Sequence, residues 1–257
     1  MVTDGPLKAR IRRLLPKGVR PHRILAGPLR GFRIVTSWHD YPAAILGRTE
    51  RALLGWFERN VAPGETWLDV GAHYGYTAIA LSRLVGPEGR VFAFEPAVTT
   101  SGCLARTRAV NRLAQLTVIP CGLGTPETFE LRRVPGVRGM VDSTVVSDGQ
   151  LLETVMIARL DWLWERICGG RWRVDGVKVD VQGMEIDALR GMAALLGEVT
   201  PKLVVEFHRG VDRQRVLDLL ESFGYSRGAV AVEPTPGETE PGYLDDRSYS
   251  FNVVVRS

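Results

Sequence analysis

From Thr66 onward the apolar positions fall into short blocks that alternate between two periods. "TWLDV" (66–70), "RVFAFE" (90–95) and "QLTVIPC" (115–121) are apolar runs of strand length bounded by Gly or Pro. Between them, "GYTAIALSRLV" (75–85) and "TSGCLARTRAVNRL" (100–113) carry helical spacing. The order βαβαβ predicts a parallel sheet with right-handed crossovers. Further on, "TVMIAR" reads as a short strand and "LDWLWERIC" as a helix. "GVKVDV", a helix from Glu185, "PKLVVEF" and a helix over Gln214 to Phe223 follow. A polar, Pro-rich connection without helical period joins "SRGAVAVE" to "YSFNVVVRS", so the last pair is predicted as an antiparallel hairpin. The expectation is an α/β fold of five parallel strands closed by that hairpin.

Two stretches break the alternation. Residues 1–62 hold a basic arm, extended pieces at "HRILA" and "GFRIVTS", and a predicted helix from Gly47 to Asn60. Residues 63–257 form the main domain. Within it, residues 123–150 are rich in Gly, Pro and Ser and are expected as a loop lying over the functional site.

Charge sharpens this division. Thirty-three Lys and Arg against 29 Asp and Glu leave a formal +4, and Lys8, Arg10, Arg12, Arg13, Lys17, Arg20 and Arg23 stand together without an acid. Such an arm suits an anionic surface or simple solvation. No apolar block follows it as in a signal peptide, and no run reaches membrane-spanning length, so a cytoplasmic protein, peripheral to a membrane at most, is expected. Cys103, Cys121 and Cys168 are odd in number and far apart, which points to buried free thiols.

Candidate chemistry begins at "LDVGAHYGYTAIA". A strand ending in Asp69, then Gly71 and Gly75 before a helix, lets a ligand approach backbone amides. The spacing is G-x-x-x-G, and without the middle Gly of a dinucleotide fingerprint it argues against NAD or FAD. Glu95, followed by Pro96, ends the second strand, where a carboxylate suits two ribose hydroxyls. Asp69 as a helix cap, Glu95 as a solvated strand end, and His73 as a residue tolerant of left-handed backbone are the structural alternatives. Asn111 is expected to make a helix-end hydrogen bond.

Lys178 and Asp180 place opposite charges two residues apart in an apolar strand, and alternation sends both to one face. Glu206 and His208 share a face in the same way. If the strands are neighbours, the four groups meet at the carboxyl edge of the sheet, with Lys178 deepest and paired to Glu206 or Asp180.

Taken together, "WLDVGAHYGYTAIA", "VFAFEP", Asn111, "RLDWLWE", "VKVDVQGMEIDALRGM" and "PKLVVEFH" resemble the FkbM family of S-adenosylmethionine-dependent methyltransferases over roughly residues 45–228. The resemblance implies a Rossmann-like class I fold with a seven-stranded, mostly parallel sheet. It also implies S-adenosylmethionine as cofactor and O-methylation of a sugar, glycolipid or natural-product hydroxyl. It places Asp69, Gly71, Ala72, His73 and Gly75 around the methionine part and Glu95 on the ribose. Cys121, Gly122, Asp142 and Ser143 are weaker candidates near the adenine or acceptor. His73 stands where the family usually has Asn, and Gln182 where it usually has Glu.

Methylating an alcohol requires removal of its proton, and Asp180, Glu185, Glu206 and His208 are the candidate bases. His208 is expected as the base, with Asp180 positioning the acceptor. A Mg2+ ion on Asp180 is the rival account, disfavoured because Gln182 removes a carboxylate. A nucleic-acid methyltransferase and a non-catalytic cofactor-binding protein are the other classes; no stable nucleic-acid partner is expected. Neither the acceptor nor the oligomeric state is legible at this level.

Overall fold

The computed structural model describes residues 14–135, 152–171, 173–228, 230–232 and 247–253. In chain order, β1 (Arg20–Arg23) and β2 (Arg33–Thr36) form an antiparallel hairpin, followed by α1 (Pro42–Leu46) and α2 (Arg51–Asn60). Next come β3 (Thr66–Val70), α3 (Tyr76–Val85), β4 (Arg90–Phe94), α4 (Val98–Asn111) and β5 (Leu116–Ile119). The middle of the chain holds β6 (Gly122–Leu123), β7 (Phe129–Pro135), β8 (Leu152–Ala158) and α5 (Leu160–Cys168). The remainder is β9 (Gly176–Val179), α6 (Glu185–Arg190), α7 (Ala193–Val199), β10 (Lys202–Phe207), α8 (Arg213–Ser222), β11 (Val230–Ala231) and β12 (Arg247–Phe251).

Seven strands make the main sheet in the order β11-β12-β10-β9-β3-β4-β5. The five from β10 to β5 are parallel, and β12 closes against β10 antiparallel, with β11 outside it. The expected closing hairpin is therefore present. Its partner edge places β3 and β9 at the centre, so the turns after both strands open on the same side.

Strand alternation divides the core into two layers. Leu68, Val70, Val177, Val179, Leu203 and Val205 point to one face, under α6, α7 and α8. Trp67, Val91, Ala93 and Val204 point to the other, under α2, α3 and α4. The N-terminal elements belong to this second layer, since Ile24, Ile34, Ile45, Leu53 and Phe57 are all buried within it.

Residues 123–150 were expected as a loop, but their first half is strand. β7 pairs antiparallel with β8, and β6 parallel with it, in a separate three-stranded sheet. The alternation in "FELRRVP" is the signal for β7. Asp142 and Ser143 lie outside the described residues, as do Lys8, Arg10, Arg12 and Arg13; Lys17, Arg20 and Arg23 are exposed. Cys103, Cys121 and Cys168 are free and buried. No helix among the described residues is long and apolar enough to cross a membrane.

Asn111 does more than end its helix. Its amide accepts from Arg33 N at 2.8 Å and donates to Arg33 O at 2.6 Å, and it also donates to Thr107 O at 2.8 Å. Thr107 Oγ1 accepts from Val35 N at 2.9 Å. Side chains of α4 thus satisfy the free edge of β2, which fixes the N-terminal hairpin to the main domain. Asn111→Ala should cost about 0.5–1.5 kcal/mol in urea unfolding, because two exposed backbone groups of Arg33 exchange the amide for water. Equal stability of variant and wild type would show that the hairpin is held by its apolar contacts alone.

Candidate active site

The turn after β3 is shaped by where the chain must pass. Gly71 has φ +82, and a Cβ there would lie 1.7 Å from the Asp180 carbonyl oxygen. Only glycine lets the ends of β3 and β9 approach this closely. His73 follows with φ 50 and Gly75 with φ 92. Histidine, like asparagine, tolerates this left-handed region, which gives a backbone reason for the His73 replacement. The His73 amide donates to Glu95 Oε2 at 2.9 Å and the Ala97 amide to Glu95 Oε1 at 3.0 Å. The carboxylate at the end of β4 therefore braces the turn after β3. Burial pushes the Glu95 carboxyl up to about 7 against the opposing effect of those two bonds.

Asp69 and Lys178 are register partners across β3 and β9. Their side chains meet at 3.1 Å with both almost fully buried. Lys178 Nζ also donates to the Gly71 carbonyl at 2.9 Å and lies 3.4 Å from Asp180 Oδ2. Thr77 Oγ1 donates to the other Asp69 oxygen at 2.7 Å. Burial alone would lower the Lys178 pKa, but Asp69 and Asp180 outweigh it and raise it, so the ammonium stays charged. The partner expected from the sequence was Glu206 or Asp180; the structure adds Asp69 as the nearer carboxylate and gives Glu206 to another group.

That group is His208. Its Nδ1 lies 2.6 Å from Glu185 Oε1, and its Nε2 lies 3.3 Å from Asp180 Oδ1 and 3.5 Å from Glu206 Oε1. Gln182, with φ 53, brings its amide within 2.8 Å of Nε2. Burial lowers the imidazole pKa, but hydrogen bonds that the ring donates to Glu185 and Glu206 and the charge of Asp180 prevail and push it up to about 10. His208 is held as imidazolium, so both ring nitrogens donate. The Gln182 nitrogen that approaches the ring also lies 3.5 Å from Asp180 Oδ1.

Beside this cluster lies a cavity of about 380 Å³, within the usual range for small-molecule sites. The Gly71–His73 turn, Glu95, Pro96 and Gly122 line one side, and Asp180, Gln182 and Glu206 the other. Tyr41, Thr49 and Glu50 complete the wall from the N-terminal elements.

A sequence profile of the methyltransferase FkbM domain matches residues 69–227, more than half of the chain. The chain belongs to the FkbM methyltransferase family. Methyltransferase sdnD of Sordaria araneosa is 28% identical over 203 residues, covering 66% of this chain and 77% of that protein. Methyltransferase 1 of Beauveria bassiana (strain ARSEF 2860) is 30% identical over 190 residues, covering 65% and 73%. The crystal structure of methyltransferase FkbM from Methylobacillus flagellatus KT shares the fold, with a TM-score of 0.51 and 19% identity. That match covers 77% of this chain and 50% of the other, so the chain spans half of that protein's length.

The cavity of this FkbM methyltransferase fits S-adenosylmethionine by its donor set. Each Glu95 oxygen accepts a single backbone bond and retains capacity for a hydroxyl. Gly71, Ala72, His73, Glu95, Pro96 and Gly122 line the cavity as expected, whereas Asp69, Gly75 and Cys121 do not. Asp69 is fully buried and acts through Lys178 and Thr77. Gly75 packs on α4, where a Cβ would stand 2.4 Å from Leu104 Cδ1. Cys121 is sealed, and burial pushes its thiol up to about 12.

The expected base, His208, stands behind Asp180 and Glu206 rather than on the cavity wall, and its proton is held firmly at neutral pH. Glu185 is likewise fully buried behind it. Glu50 is the residue that sequence reasoning missed. It sits at the start of α2 with φ 52, caps nothing with its side chain, and among the described residues has Thr49 Oγ1 as its direct donor, at 3.2 Å. Burial, then the negative Glu206 and Asp180, push its carboxyl up to about 7.

His208 gives the fold a pH signature. Its pKa is 6.5 in an unfolded reference and about 10 in place. The stabilisation is therefore full below about pH 6.5 and is lost as pH rises through about 10. Urea unfolding between pH 7 and 10 should show the wild type losing stability more steeply than His208→Gln. Parallel pH profiles would mean that His208 is not held as a cation.

Proposed function

We propose that this methyltransferase transfers the S-adenosylmethionine methyl group to a hydroxyl of a sugar, glycolipid or natural-product acceptor. The observation that carries the reading is the two-sided cavity. One side offers a ribose carboxylate and a glycine turn, and the other offers three carboxylates, Glu50, Asp180 and Glu206. The one imidazole among the lining residues, His73, has its pKa lowered by burial to about 4, which makes it the weaker base beside Glu50. Bound there, the cofactor would supply a sulfonium methyl already activated for transfer. What remains for the protein is alignment, exclusion of water and removal of one proton.

Glu95 and the Gly71–His73 turn hold the nucleoside end in this reading. Asp180 is fixed by Lys178 on one oxygen and by His208 on the other, so it positions the acceptor hydroxyl as a hydrogen-bond acceptor. Glu50 takes the proton. A carboxyl whose pKa lies near 7 is half in its basic form at neutral pH and still strong enough to accept. Glu50, rather than His208, thus becomes the base of the proposed reaction.

Incubation with methyl-labelled S-adenosylmethionine and a host metabolite extract should place label in hydroxyl-derived methyl ethers. Label found only in RNA would overturn the reading in favour of a nucleic-acid methyltransferase. Glu95→Ala should weaken S-adenosylmethionine binding at least about tenfold in calorimetry, since two charged hydrogen bonds are lost; unchanged affinity would remove Glu95 from the ribose. Glu50→Gln should keep cofactor affinity and lower the turnover of the labelled product by about two to four powers of ten. Full turnover in that variant would return the proton to another group.

A further inference from the structure

We propose that Asp180, Glu206 and His208 form a divalent-cation site on the acceptor side of the cavity, selective for a transition-metal ion such as Mn2+ or Zn2+ over Mg2+. One ligand atom from each of the three lies within 4.8 Å of the others. The Nε2 distances of 3.3 Å to Asp180 and 3.5 Å to Glu206 lie within about 0.1 Å of the spacing of adjacent donors around a tetrahedral ion, which is about 3.4 Å for bonds of about 2.1 Å.

The surroundings of His208 point the same way independently of the three ligand atoms. Glu185 is fully buried, and its Oε1 fixes Nδ1 at 2.6 Å while its Oε2 has no hydrogen-bond partner. A carboxylate committed to Nδ1 orients the ring, and the ion would take the place of the proton that Nε2 carries in the metal-free protein, releasing it on binding. Asp180 is oriented too, because its second oxygen faces Lys178 at 3.4 Å. Asp180 and Glu206 line the cavity, so the remaining coordination positions of a cation would face a bound hydroxyl, whose proton it would loosen. The ring nitrogen decides the choice of ion, since imidazole suits zinc-like metals and Mg2+ prefers oxygen alone. Gln182 is not one of the three, so its replacement of a carboxylate does not count against this site.

The full chain, stripped with EDTA and exchanged into metal-free buffer, should bind one Mn2+, read as loss of the free-ion EPR signal, and one Zn2+ by calorimetry. Glu206→Gln and Asp180→Asn should each weaken Mn2+ binding at least about tenfold, with circular dichroism melts confirming that both variants fold. Glu198→Gln, on the remote helix α7, should bind as the wild type does. Absence of one-to-one Mn2+ binding by the wild type, or wild-type affinity in the folded Glu206→Gln and Asp180→Asn variants, would overturn the site. Calorimetry with S-adenosylmethionine on the same samples reports the cofactor separately, so failure of the metal site and failure of the methyl-transfer reading are told apart.

Discussion

The Lys178 ammonium lies 3.1 Å from Asp69, 3.4 Å from Asp180 and 2.9 Å from the Gly71 carbonyl, with 3% of its side chain exposed. Each contact belongs to a different part of the site: the strand that precedes the glycine turn, the turn itself, and the carboxylate on the acceptor side. An uncompensated charge in this place would cost several kcal/mol, so the three partners are obligatory. The consequence is geometric. Asp69 is held for Thr77 and the start of α3, Gly71 is drawn against the end of β9, and Asp180 keeps one oxygen turned inward and one outward. Opposite charges in a core strand thus join the cofactor turn to the reacting end of the cavity.

A second buried cation continues the same logic toward β10. His208 collects Glu185, Asp180 and Glu206, and its raised pKa is the result of those carboxylates outweighing burial. Four carboxylates around two protein cations leave this end of the cavity negative when Glu50 is protonated. A sulfonium is attracted to such a field. Ground-state attraction of that kind does not speed transfer, because the charge is lost as the methyl leaves. The carboxylates gain a catalytic use only by accepting a proton or holding an acceptor or a cation.

What could be read from the sequence was what depends on period. Alternation placed Lys178 with Asp180 and Glu206 with His208, and strand order made β9 and β10 neighbours; both are seen. Asp180 was read as a candidate partner of Lys178 and is one; the nearer partner, Asp69, was not legible, because it depends on the register of β3 against β9, which alternation leaves free. The state of His208 was not legible either. A generic imidazole titrates near neutrality, and only the 2.6 Å approach of Glu185 reveals a group held charged. β7 was hidden by the Gly and Pro around it, although "FELRRVP" alternates correctly.

Glu50 shows a different limit. Nothing in "GRTER" marks a functional carboxylate, since its place in the cavity comes from a helix packed across the sheet and from a left-handed residue at that helix's start. A non-glycine residue in that region is strained, and here the side chain makes no cap that would offset the strain. The neighbouring contacts hold it instead: Leu53 and Phe57 are buried in the second core layer and fix α2, and Glu50 lines the cavity. Family motifs describe the strands and turns that carry the cofactor. The N-terminal elements and Glu206 line the rest of the cavity, which in the proposed reaction receives the acceptor, and it is there that members of one fold family are free to differ in substrate.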